Sequence, residues 1–132
     1  MAEPTNSGFG RVLVAVYATF AVAATARAGV QLATRLEQAP VAYLLSALAA
    51  VVYIVATVAL ARAGPAARQT ATAAVTFEFV GVLAIGTLSV LNPTAFPDET
   101  VWSDYGRGYA FIPLVLPLVG LYWLRRTAGT RR

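Results

Sequence analysis

Of the six acidic residues in the chain, Glu78 alone lies inside a long apolar run, TATAAVTFEFVGVLAIGTLSVL from Thr70 to Leu91. As a helix this run reaches about 33 Å, enough to cross the hydrocarbon core of a bilayer. A charged, unpaired carboxyl there costs on the order of 3 kcal/mol, so Glu78 needs a partner, a proton or a wet cavity. Two chemistries are open to it. One is a proton or cation site toward the cytoplasmic half, about 12 Å from that end of the run. The other is a structural carboxyl, hydrogen-bonded to a hydroxyl such as Tyr17, Thr19, Tyr53 or Thr57, or to an arginine. Arg27, Gln31 and Arg35 recur at spacing four and give the outer end of the first helix a polar face. That face either lines a vestibule attractive to anions or snorkels to headgroups, which is cheap for arginine near a helix end. A direct Arg27–Glu78 pair would have to bridge about 10 Å of depth.

The remaining polar groups offer less. Cysteine and histidine are both absent, which removes disulfides, thiol catalysis, the usual zinc and haem ligands and histidine acid–base steps. Asp98, Glu99 and Asp104 could supply oxygen ligands to a hard cation, but their spacing fits no calcium loop, so they read as a solvated acidic loop. Gly106-Arg107-Gly108 reads as a turn more readily than as an anion cradle. Trp102, Tyr105, Tyr109, Tyr122 and Trp123 are placed as interface anchors, aromatic rings at headgroup level. With no nucleophile–base pair and no metal set in view, an enzyme is the least favoured class, and no cofactor or metal is implied. All ten basic residues are arginines, scattered at segment ends instead of gathered in a patch, so the net charge of +4 does not point to nucleic acid.

What must position these groups follows from composition. The chain has 132 residues, 58% hydrophobic and 12% charged, against about 25% charged in ordinary soluble domains. This is the membrane class, and a single domain. The first run opens at Arg11. Ala24-Thr25-Ala26 mimics a signal-peptidase site, but the run continues past Arg27 to Ala33, which favours an uncleaved helix. Spans are predicted over about 11–33, 41–62, 70–91 and 109–125. Gly64-Pro65 stops the second and Asn92-Pro93 the third. Residues Met1–Gly10 read as a loosely ordered tail. The loop 92–108 is extracytoplasmic, with a short helix from about Asp98 to Tyr105 on the membrane surface. Pro113 fits a first turn, and Pro117 should kink the fourth helix. The predicted fold is all-α, a four-transmembrane-helix bundle with a short interfacial helix between the third and fourth spans.

Arginine sets the orientation. Arg11, Arg62, Arg68, Arg125, Arg126, Arg131 and Arg132 fall on one side, and Arg27, Arg35 and Arg107 on the other. Both termini should therefore face the cytoplasm of a bacterial plasma membrane. Contact faces should be marked by small residues: Ala24 and Ala28; Ala42, Ser46 and Ala50; and Thr70, Ala74, Glu78, Gly81 and Ser89.

The stretch VWSDYGRGYAFIPLVLPLVGLYWLRR, with LNPTAFPDETVW before it and ARAGVQLATR and APVAYLLSALAAVVY upstream, resembles a group of small, uncharacterised integral membrane proteins of actinobacteria. The resemblance covers most of the chain. It implies topology and source, in keeping with the Lys-free, Ala- and Arg-rich usage of a GC-rich genome, and carries no activity. Small multidrug resistance transporters share the length, the four helices and one membrane glutamate. Their glutamate is in the first helix, whereas Glu78 falls in the third. Two functions are expected: a non-enzymatic binding or accessory subunit, forming a homo-oligomer or joining a larger membrane complex, or a proton- or cation-coupled transporter or channel using Glu78.

Overall fold

A computed structural model describes residues 5–34, 40–62, 64–92, 94 and 102–128, the side chains of 40–42 excepted. The described residues are all-helical, with no strand. The order is α1 (Phe9–Thr34), α2 (Pro40–Ala61), α3 (Pro65–Leu91), a tight 3-10 segment (Ser103–Tyr109) and α4 (Ile112–Arg126). Three helices are long and apolar enough to cross a membrane. A fourth crossing exists only if the 3-10 segment and α4, bent by 97° to each other, count together. With 15 residues, α4 is about 22 Å long, short of a bilayer core.

The molecule is apolar outside. Val12, Val22, Leu44, Val51, Phe77, Val80 and Leu88 all lie exposed along the three long helices, far more outward aliphatic surface than a water-soluble monomer carries. Inside, each helix contributes a stripe at helical spacing. On α1 it is Leu13, Tyr17, Phe20, Ala24, Ala28 and Gln31; on α2, Ser46, Ala49, Tyr53, Ala56 and Leu60; on α3, Ala71, Ala74, Glu78, Val82, Ile85 and Ser89. Small residues at these contacts let backbones approach closely. Thr70, expected on the α3 contact face, is exposed, and the Ala42 side chain lies outside the described residues.

Helix α3 starts at Pro65, five residues before the apolar run. Gly64, at φ 106, turns the chain, and Pro65 occupies the first helical turn, where its missing N–H costs nothing. This moves Glu78 to the midpoint of its helix, thirteen residues from both Pro65 and Leu91. That is about 20 Å from the N-terminal end of the helix, deeper than the apolar run alone implies.

The start of the chain is not a loose tail over its described part. Thr5 is 5% exposed. Its hydroxyl donates to the Leu60 carbonyl at 2.6 Å, and Asn6 Nδ2 donates to the Ala61 carbonyl at 2.8 Å, so these two residues satisfy carbonyls at the open end of α2. Trp123 Nε1 in turn donates to the Thr5 carbonyl at 2.9 Å. At the same end of the bundle, Arg68 caps α4. Its guanidinium donates to the Leu124 carbonyl at 2.8 Å, the Thr127 hydroxyl at 3.0 Å and the Thr127 carbonyl at 3.0 Å.

The short helix expected between the third and fourth spans is present as the 3-10 segment Ser103–Tyr109, and the first part of its expected range lies outside the described residues. Residues 95–101, including Asp98 and Glu99, lie outside the described residues. From Trp102 onward the chain turns inward. Asp104, Tyr105 and Gly106 take left-handed backbone angles, as do Ala110 and Phe111, a strained path for residues bearing a Cβ. Side chains hold it in place. Asp104 N donates to Ser89 Oγ at 2.8 Å, the Thr87 and Tyr105 hydroxyls share a hydrogen bond of 2.7 Å, and the Tyr105 ring lies on Gly86. The sharp bend falls before Pro113, while Pro117 sits within a continuous α4.

Candidate functional site

Every helix contributes to one polar centre around Glu78. The residue is 0% exposed. Its register on α3 turns it inward with Ala74 and Val82, and α1 presents Tyr17 from its own inward stripe. The Tyr17 hydroxyl donates to Glu78 Oε1 at 2.7 Å. From α2, the Tyr53 hydroxyl faces the same carboxyl, yet Oε2 is left without a hydrogen-bond partner. Tyr53 also accepts a hydrogen bond from Trp102 Nε1 at 3.2 Å. The indole nitrogen can only donate, so the tyrosine keeps its own hydrogen for the carboxyl it faces. From α4 comes bare backbone: a Cβ on Gly120 would stand 3.1 Å from the Tyr17 hydroxyl and 3.2 Å from Val75.

Aromatic rings close the centre on the side of the 3-10 segment. Phe20 stacks on Tyr53 with ring centroids 5.7 Å apart, Tyr17 lies 6.2 Å and Trp102 6.4 Å from Tyr53, and Phe20 meets Tyr109 at 5.6 Å. Such pairs contribute about 0.5–1.5 kcal/mol each beyond burial. Trp102 fits because position 81 is glycine; a Cβ there would come within 2.6 Å of the indole ring.

The expected site residues thus divide. Tyr17 and Tyr53 meet Glu78, whereas Arg27 and Gln31 do not. Arg27 Nη1 donates to the Tyr109 hydroxyl at 3.1 Å. Gln31 is 3% exposed and belongs to the interior, not to an open vestibule, and Arg35 lies outside the described residues. Thr19 and Thr57 bond back to Ala15 and Tyr53 carbonyls on their own helices, as mid-helix threonines commonly do. Among the described residues no guanidinium pairs with Glu78, so the centre is a carboxyl among phenols.

The interface anchors also divide. Trp102 is 1% exposed and is a core residue, a correction to its placement at headgroup level. The indole is captured by Gly81 and Tyr53, and the left-handed backbone after it makes the inward turn. Tyr105 and Tyr109 are half-buried, Trp123 is buried, and Tyr122 is 60% exposed. Sequence reasoning missed Trp102 as part of the site. It also missed Arg68, whose acceptors on α4 lie 56 and 59 residues away.

Chemically, the centre can hold one proton on a carboxyl flanked by two hydroxyls. With that proton, Glu78 both donates and accepts; without it, it accepts only. Among the described residues no group of three or more carboxylate, thiol or imidazole side chains could hold a metal ion. Three surface grooves are lined by residues of α1 and α4, of α2 and α3, and of α3 alone, and Glu78 lines none of the three. No protein-family model, curated protein or solved structure matches the chain.

Proposed function

We propose that this chain is a four-span, non-enzymatic membrane module, an accessory or binding subunit, in which Glu78 fastens the bundle together. Its termini face the cytoplasm, in line with the arginine distribution, and α4 with the bent segment before it forms the fourth crossing. A bundle this small has little interior of its own, so it acts as a homo-oligomer or within a larger membrane complex. The observation that carries the reading is convergence. Tyr17, Tyr53, Glu78, Trp102 and Gly120 bring α1, α2, α3, the loop and α4 to one point. In lipid, where apolar surfaces gain little by meeting each other, a shared polar contact and close packing are what select one arrangement of helices.

A second reading has one observation in its favour. Oε2 of Glu78 has no hydrogen-bond partner and lies at mid-helix depth, where ionisable groups commonly serve proton or cation movement. Glu78→Gln in reconstituted vesicles separates the two. The module reading predicts weakened assembly or stability and no pH-driven flux in either protein. A flux present in the parent and lost in a stably folded Glu78→Gln variant would replace it with coupled transport.

A further inference from the structure

Helix α4 and the start of α1 enclose a groove lined by Phe9, Leu118, Val119, Tyr122, Trp123 and Arg126. It is almost wholly apolar until its last residue. Leu118, Tyr122 and Arg126 recur at spacing four and so form one line along α4. The line runs about 12 Å from aliphatic wall to guanidinium. Phe9, 47% exposed, forms the opposite lip and meets Trp123 edge-on at 5.3 Å.

Charge marks what belongs there. Arg126 and its neighbour Arg125 are exposed, and neither side chain makes a hydrogen bond or ion pair with a described residue. Arg11, Arg62 and Arg68 lie at the same end of the bundle. The described carboxyl side chains, Glu78 and Asp104, lie at mid-helix and toward the opposite end. A groove with an apolar trunk and, at its mouth, an exposed guanidinium that no described carboxylate meets, level with the end of a membrane helix, matches an acyl chain below an anionic headgroup. Guanidinium donors suit a phosphate diester geometrically as well as electrostatically, and each arginine near an anionic surface contributes about 1 kcal/mol.

We infer that the Phe9–Arg126 groove is a binding site for an anionic phospholipid, with its phosphate at Arg126 and an acyl chain along Leu118 and Tyr122. This rests on the membrane reading above and adds lipid selectivity to it. Trp123 borders the groove, so the site carries its own reporter. The full chain is reconstituted in phosphatidylcholine bilayers doped, at equal mole fraction, with brominated phosphatidylglycerol or with brominated phosphatidylcholine, and tryptophan emission is read. Trp102 is buried at the other side of the bundle and gives a constant background. The expected result is stronger quenching by the brominated phosphatidylglycerol. Arg126→Gln should weaken that preference about fivefold, the equivalent of about 1 kcal/mol, and Arg126→Lys, which keeps the charge but not the planar fork, should weaken it less. Equal quenching by the two lipids, or a preference unmoved by Arg126→Gln, overturns the site while leaving the membrane reading intact. Quenching by neither lipid also overturns it, and native mass then assigns the fault. A dimer that Tyr122→Arg converts to a monomer means that a second copy of the chain fills the groove; a monomer untouched by lipid counts against the membrane reading itself.

Discussion

Breaking the Tyr17–Glu78 contact tests whether the buried carboxyl holds the bundle together. Tyr17→Phe removes the hydroxyl that donates to Oε1 and changes nothing else in the ring's shape. Since Oε2 already has no hydrogen-bond partner, the variant leaves Tyr53 as the one hydroxyl facing the carboxyl. Stranding a buried polar group in this way costs about 1–3 kcal/mol. Glu78→Leu removes the other partner and strands the Tyr17 hydroxyl, for a similar loss. The double variant removes the Tyr17–Glu78 pair outright and leaves only the Tyr53 hydroxyl without its acceptor, so it should cost less than the sum of the two single losses. The two losses should therefore not add: a coupling of about 0.6–2 kcal/mol is expected, the lower end being typical of hydrogen bonds between membrane helices. The assay is reversible unfolding of the four proteins in mixed micelles, followed by helical circular dichroism, with the cycle closed at one detergent composition. Additivity within about 0.3 kcal/mol would refute the claim that these two groups act on each other in the folded bundle.

Other expectations follow from the same geometry. Gly81→Ala puts a Cβ within 2.6 Å of the Trp102 ring, so the indole must move and its bond to Tyr53 must break. A red-shifted tryptophan emission and a loss of about 1–3 kcal/mol are expected, and an unchanged spectrum would contradict the packing. Gly120→Ala crowds the Tyr17 hydroxyl and Val75 more gently and should cost less than Gly81→Ala in the same unfolding assay. Arg68→Gln takes the guanidinium from three oxygen acceptors at the end of α4. Faster amide exchange at residues 124–128, with α2 unaffected, is the expected result. Thr5→Ala should cost about 1 kcal/mol through the lost bond to Leu60 and should speed exchange near Ala61; no change in either would return this segment to a loose tail.

Much of this arrangement was legible in the amino-acid sequence, for identifiable reasons. Hydropathy found α1 and α2 to within two residues at each end, because an uninterrupted apolar run and a helix have nearly the same limits there. It missed the start of α3 by five residues, because Pro65–Gln69 is too polar to register. Gly64-Pro65 reads as the end of one helix and is also the start of the next. Tyr17 could be separated from Thr19 by register alone: spacing from Leu13 through Tyr17, Phe20 and Ala24 makes one face, and Thr19 falls off it. Trp102 could not be placed this way. Its surroundings, VWSDYGRG, are polar and glycine-bearing, and the inward path depends on left-handed angles at Asp104 and Tyr105, which aspartate tolerates but tyrosine does not advertise. The same holds for Arg68, which helped set the orientation by its charge but finds its acceptors on a helix more than fifty residues later.

The central claim is that Glu78 faces protein on every side, and a membrane-permeant carbodiimide tests it most directly. Such a reagent, partitioned into the lipid, reaches carboxyls that look outward to the acyl chains. The chain is treated in intact vesicles and, separately, after unfolding in dodecyl sulfate at the same pH, and the Glu78 peptide is examined by mass spectrometry. The account predicts no adduct in the folded protein and a ready one after unfolding. An adduct formed as fast in the native bilayer as in detergent would mean that the carboxyl faces lipid, and the bundle described above would be wrong.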